Sequence, residues 1–165
     1  MDHITHPWKA IYDDHSAILI LGTMPSPKSR ENGFYYSHPQ NAFWPLLADL
    51  LHQEKPASDP EAKKEFLLRN HIAVFDVLQS CDIQGASDMS IQNAKINSFY
   101  PILQNAPIRA VFTTGKKATE YYRNYAPEQQ DYPCIYLPST SPANRGNFPY
   151  PKLKESWQII LKYLS

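Results

Sequence analysis

Only two cysteines, Cys81 and Cys134, occur in 165 residues. That excludes an iron–sulfur cluster held by four thiolates and favours free thiols in a cytoplasmic protein over a disulfide framework. No apolar run approaches membrane-spanning length, and the N-terminus lacks the basic and apolar regions of a secretory leader, so no membrane association is expected. The formal charge sums to zero, so bulk electrostatics does not announce a polyanionic partner. Gly115-Lys116-Lys117 lacks both the glycine five residues earlier and the following Ser/Thr of a Walker loop, and no dinucleotide fingerprint follows the first apolar run. No serine sits in a nucleophile elbow. His3, His6 and His15 cluster near one end without cysteines or a carboxylate at helical spacing, so neither a metal nor a cofactor is expected.

Fifteen prolines and eleven tyrosines are present. Strongly apolar segments recur between them, which points to stiff, ring-lined loops in a folded chain and not to disorder. The length suits one domain over residues 1–165, expected to be monomeric. Charge is uneven along the chain. From Ile108 onward Arg109, Lys116, Lys117, Arg123, Arg145, Lys152, Lys154 and Lys162 face only Glu120, Glu128, Asp131 and Glu155. This excess suits a polyanion as well as it suits an ordinary solvated surface.

Ala17 to Leu21 reads as a buried strand ended by Gly22, with Pro25 and Pro27 blocking its continuation. Leu46, Leu47, Leu50 and Leu51 place a helix at 41–52, and Ser58-Asp59-Pro60-Glu61 starts another that runs to Arg69. His71 to Leu78 is the second strand; the polar residues 79–96 are expected to form a long loop. A short helix at 98–104, a strand at 109–113, a helix after Gly115, a strand at 134–137 and a helix at 152–164 complete the chain. Residues 1–15 are expected to pack rings on the sheet edge. Alternating strands and helices predict a three-layer α/β/α sandwich around a mainly parallel four-stranded sheet. The first and last strands are expected side by side at the switch point, where ligands of such sheets bind.

The loops after those two strands carry the chemistry. The first offers Ser26, Phe34, Tyr35, Tyr36, His38 and Asn41; the second offers Ser139, Thr140, Ser141, Asn144 and Arg145. Rings beside an amide hold a flat heterocycle by stacking and edge hydrogen bonds. Short hydroxyl residues beside prolines bind phosphate without much positive charge. Together they describe a slot for a base with phosphates at its rim, for a nucleotide or a nucleic acid alike. Each residue also has a plainer role. Asn41 suits a helix N-cap, Phe43 and Trp44 the core, His38 a turn, Asp76 a structural partner, and Arg145 a solvated loop.

Gly22-Thr23-Met24-Pro25-Ser26, the block from Phe34 through His38-Pro39-Gln40-Asn41 to Trp44, and Leu137 to Asn144 resemble the uracil-DNA glycosylase superfamily. The likeness is greatest to its hypoxanthine-DNA (deoxyinosine) glycosylase branch. Strand order and spacing over nearly the whole chain fit that superfamily. Met24 stands where uracil enzymes carry aspartate and the mismatch-specific branch carries asparagine, and Ser139 to Ser141 contain no leaving-group histidine. The resemblance implies a monofunctional DNA glycosylase acting on deaminated bases in DNA, hypoxanthine first and uracil or xanthine second, without metal. It implies Asn41 as the catalytic amide and Tyr36, with Phe34, against the flipped base. Gly22, Thr23 and Met24 then read the base edge, Ser26, Ser139, Thr140 and Ser141 grip phosphates, and Asn144 with Arg145 fills the gap in the duplex. A non-catalytic nucleic-acid-binding domain and a hydrolase of small nucleosides or nucleotides compete with this reading.

Overall fold

A computed structural model describes residues 1–164. Strands β2 (Ile18–Gly22), β3 (Ile72–Asp76), β6 (Ala110–Thr114) and β7 (Cys134–Leu137) form a four-stranded sheet in the order β3-β2-β6-β7, every pair parallel. All five residues of β2 are buried, because a central parallel strand is covered on both faces. Ile18 and Ile20 face one apolar cluster with Phe112, Phe43 and Trp44 of α2 (Phe43–Leu50), Phe66 of α3 (Pro60–Arg69) and Trp157 of α6 (Tyr150–Trp157). Leu19 and Leu21 face the other, with Phe99, Ile102 of α4 (Tyr100–Asn105) and Tyr122 of α5 (Lys116–Tyr125). Truncating any of these side chains costs about 2–5 kcal/mol.

Helix ends follow local chemistry. Asp59 caps α3 by accepting from the Ala62 N–H, with Pro60 in its first turn. A short helix α1 (Pro27–Asn32) replaces part of the expected first loop; Ser26 caps it, and Gly33, at φ 81°, ends it in a left-handed turn. The last helix is α-helical only to Trp157 and tightens to 3₁₀ over Gln158–Tyr163.

Two expectations are corrected. Residues 79–96 are not a loop: β4 (Leu78–Gln84) and β5 (Ser87–Ile96) form an antiparallel hairpin, joined by β1 (Asp2–Thr5) into a second sheet of order β1-β4-β5. Three register shifts in the hairpin and a mostly exposed β5 erase the two-residue alternation that marks a strand. The first and last parallel strands are not neighbours either, since β6 lies between them. The order reverses between β2 and β6, so Gly22 and Thr114 end the strands at the switch point.

Candidate active site

A cavity of about 330 Å³ opens at the carboxyl ends of these strands. Gly22 to Ser26, Ser29, Tyr35, Tyr36, His38, Asn41, Asp76 and Thr114 line it, with Ser139 to Ala143 on the opposite side. The tip of the β4–β5 hairpin adds Gly85, Ala86 and Asp88. The two loops meet directly, as the Ala42 N–H donates to the Thr140 carbonyl at 3.1 Å.

Tyr36 occupies a left-handed backbone conformation, φ 52°, uncommon outside glycine. The surroundings hold it there: Trp44 Nε1–H donates to the Tyr36 carbonyl at 3.1 Å, and the Tyr36 ring stacks on Phe43 at 4.0 Å with 10° between planes. One ring face is thus spent on the core. The Tyr36 hydroxyl is buried without a hydrogen bond of good geometry among the described residues. Burial and the nearby Asp76 push this phenol far above its usual range, and Thr114 draws it partly back.

Asn41 ends the His38–Asn41 turn, where its N–H donates to the His38 carbonyl at 2.9 Å. Its Oδ1 accepts from the Phe43 N–H at 2.9 Å, a bond made from one residue before Ala42, the N-cap of α2. That bond assigns the carboxamide orientation and leaves both Nδ2 hydrogens for a ligand. The N-cap role read from the sequence falls to Ala42 instead, while the Asn41 side chain holds the turn before α2 and keeps an open donor.

Across the cavity Ser139 Oγ accepts from the Ser141 N–H at 3.1 Å, and Ser141 Oγ from the Ala143 N–H at 3.3 Å. Both hydroxyls are used as acceptors, so their own hydrogens remain to be donated. Ser26 lines the cavity while capping α1. Thr23 Oγ1 donates to Asp88 Oδ2 at 3.4 Å, and its carbonyl takes the Leu78 N–H. Asp88 is exposed as a residue at the hairpin tip, yet desolvation where its carboxyl faces the cavity raises it above the usual carboxylate range; the Thr23 hydrogen bond opposes this, Asp76 adds to it, and Lys117 opposes it. Met24, which supplies no carboxylate or amide to the cavity it lines, is half-buried and packs on the second apolar cluster.

Two expected positions are corrected, that of Phe34 and that of Asn144 with Arg145. Phe34 is a core residue, 8 % exposed and packed on Tyr35 and Trp44, outside the cavity lining. Thr140 is 1 % exposed and works through its carbonyl bond to Ala42. Asn144 and Arg145 lie outside the lining, and Asn144 Nδ2 donates to the Ser139 carbonyl at 3.0 Å, bracing the turn. Sequence reasoning missed Asp88, which sat in the supposed loop, and Thr114, hidden in a strand end. Among the described residues no group of His, Cys, Asp or Glu is arranged to hold a metal ion, and no helix is long and apolar enough to cross a membrane.

The uracil DNA glycosylase superfamily model matches residues 10–164. A protein of Methanosarcina acetivorans named hypoxanthine DNA glycosylase is 31% identical over 162 residues, covering 97% of this chain and 99% of its own. Its namesake from Methanosarcina barkeri is 33% identical over 153 residues, covering 92% and 94%. A solution NMR structure of a Methanosarcina acetivorans protein bearing the uracil DNA glycosylase name superposes with a TM-score of 0.81 at 30% identity, over 97% of this chain and 98% of that one. With a family model spanning nearly its full length and a cavity at the matching strand ends, the chain belongs to the uracil DNA glycosylase superfamily.

Proposed function

We propose that the protein is a monofunctional DNA glycosylase that hydrolyses the N-glycosidic bond of a deaminated base flipped out of DNA, with hypoxanthine the preferred base. One observation carries the reading: a single cavity at the switch point joins a ring, an open amide donor and a hydroxyl rim. The relatives named hypoxanthine DNA glycosylase support the choice of base.

Cleavage passes through an oxocarbenium-like sugar and a departing base anion, so the site gains rate by stabilising those charges. Asn41 has no proton to exchange near neutral pH. Its Nδ2–H groups donate to the base as negative charge builds on it, and they cost no reorganisation because Phe43 fixes the amide. With Met24 in place of a carboxylate, the DNA phosphates supply much of the charge that offsets the sugar cation. The free face of Tyr36 stacks on the extruded base, extending the Phe43–Tyr36 pair by one ring. Ser139 and Ser141 donate to flanking phosphates. Deaminated bases pair weakly, which lowers the cost of extrusion.

Incubating the protein with a duplex oligonucleotide carrying one deoxyinosine, followed by alkali, tests this. Strand scission at the lesion is expected. Binding without abasic sites would instead indicate a non-catalytic binding domain, and turnover of free nucleosides alone a small-molecule hydrolase.

A further inference from the structure

One polar pair at the cavity wall takes no part in the proposed bond cleavage. Asp76 ends β3, and His6 follows β1; their side chains are 5 % and 3 % exposed. His6 Nε2 lies 2.8 Å from Asp76 Oδ2. The other ring nitrogen, Nδ1, lies 2.9 Å from the Trp8 carbonyl and 3.3 Å from the Trp8 N–H. A charged ring donates from Nδ1 to that carbonyl; a neutral ring accepts there from that N–H. In both cases the hydrogen on Nε2 goes to the Asp76 carboxylate. The imidazole is wedged by Trp8, Tyr35 and Phe75, with ring centroids 6.1, 5.7 and 5.1 Å away. It therefore holds one rotamer, and Asp76 with it.

The second carboxylate oxygen, Oδ1, takes no hydrogen bond among the described residues. It crowds Gly22, where an added Cβ would lie 2.6 Å from Oδ1 and 3.0 Å from the unpartnered Tyr36 hydroxyl. Asp76, Tyr36 and Gly22 all line the cavity. A carboxylate oxygen without a donor, set in the cavity wall and locked from behind, is a fixed acceptor.

We propose that His6 is a positioning residue that locks Asp76 as a one-way hydrogen-bond acceptor, so that the cavity selects bases carrying a ring N–H next to a carbonyl. This rests on the glycosylase reading and deepens it. Hypoxanthine, xanthine and uracil present such an N–H; adenine and cytosine present a lone pair at the same ring position, which meets the carboxylate lone pair to lone pair. A carboxylate cannot turn into a donor as an amide can, so with one atom it separates hypoxanthine from adenine and uracil from cytosine; guanine and thymine carry the same N–H and are not rejected by it.

The test uses the amide that this arrangement would orient. In Asp76→Asn the His6 Nε2–H still requires an acceptor, so the new carboxamide turns its oxygen to His6 and its NH₂ into the cavity. Release of hypoxanthine from a deoxyinosine duplex is expected to fall about a hundredfold in kcat/KM. The preference of the site for free hypoxanthine over free adenine as inhibitor should fall at least about tenfold. Adding His6→Phe to that variant removes the orienting donor, frees the amide to flip, and should recover about tenfold of the lost rate. His6→Phe alone should erode the preference for hypoxanthine over adenine, and His6→Gln, which keeps an N–H donor, should restore most of it. A double variant no faster than Asp76→Asn overturns the proposal, as does an unchanged inhibitor preference in both single variants. If variants at position 6 do not fold, the inhibitor preference of Asp76→Asn decides alone, and no change in it overturns the proposal. Wild-type protein inactive on deoxyinosine would sink the glycosylase reading itself; active wild type with indifferent variants sinks only the role of His6.

Discussion

The two sides of the cavity are built in opposite ways. The side that carries Tyr36 and Asn41 is bolted to the interior. Phe43 and Trp44, 0 % and 4 % exposed, supply the stacking partner, the N–H that fixes the amide and the indole N–H that fixes the strained backbone. The side that carries Ser139 and Ser141 is held mostly by itself, through hydroxyl-to-amide bonds inside one turn and the Asn144 brace. It is tied to the body by Trp157 Nε1–H donating to the Pro138 carbonyl and by the Ala42–Thr140 bond. Core packing gives sub-ångström placement, which chemistry at a base requires. A self-capped turn gives donors that adjust to a flexible phosphate chain. Changes on the first side should therefore appear in the chemical step, and changes on the second in binding.

Asn41→Ala is the strongest way to break that contrast. Losing one preorganised donor costs about 3–4 kcal/mol of barrier, a rate drop of roughly a hundred- to a thousandfold. Single-turnover release of hypoxanthine should show this drop while affinity for the lesion duplex changes only severalfold. An equal loss in binding and rate would make Asn41 a brace of the turn before α2 and nothing more.

The unequal construction also explains what could be read before the fold was known. The parallel strands were legible because β-branched and leucine-rich runs such as Ile18 to Leu21 have few other uses. The ring block was legible as a site, yet its members were not separable: Phe34, Tyr35 and Tyr36 are consecutive, and only packing sends Phe34 to the core and Tyr36 to the cavity. Helix α1 was missed although Ser26-Pro27 and Gly33 are a cap at each end, since two prolines outweighed them. The hairpin was missed because its outer strand is polar and its ladder is broken by bulges. His6 with Asp76, and Thr23 with Asp88, meet across 70 and 65 residues of chain. No local pattern encodes such a meeting.

Tyr36→Phe sharpens the contrast within the rigid side. It keeps the ring and its stack on Phe43 and removes a buried hydroxyl that lacks a partner, whose desolvation costs about 1–3 kcal/mol. The variant should melt several degrees higher. If the hydroxyl finds its partner only on the bound base, release of hypoxanthine should slow about tenfold at the same time. Higher stability with lower activity marks strain kept for function; higher stability with unchanged activity would remove the hydroxyl from the site while leaving the ring in place.

The adjustable side should respond least, and in a different variable. Ser139→Ala with Ser141→Ala removes two neutral donors, so lesion-duplex affinity should weaken severalfold, with the single-turnover rate at saturation nearly unchanged. The dependence of log affinity on log salt should keep its slope, because counterions are released by charge neutralisation and not by hydroxyls. Arg145→Gln supplies the opposite case. Its Nη2 is buried without a partner among the described residues, just beyond the serine turn. If that guanidinium meets a phosphate, the variant should lower the salt slope by about one while leaving the chemical step alone. Serine variants that slow the chemistry as strongly as Asn41→Ala would show that both sides are rigid, and the division of labour argued from their packing would fall.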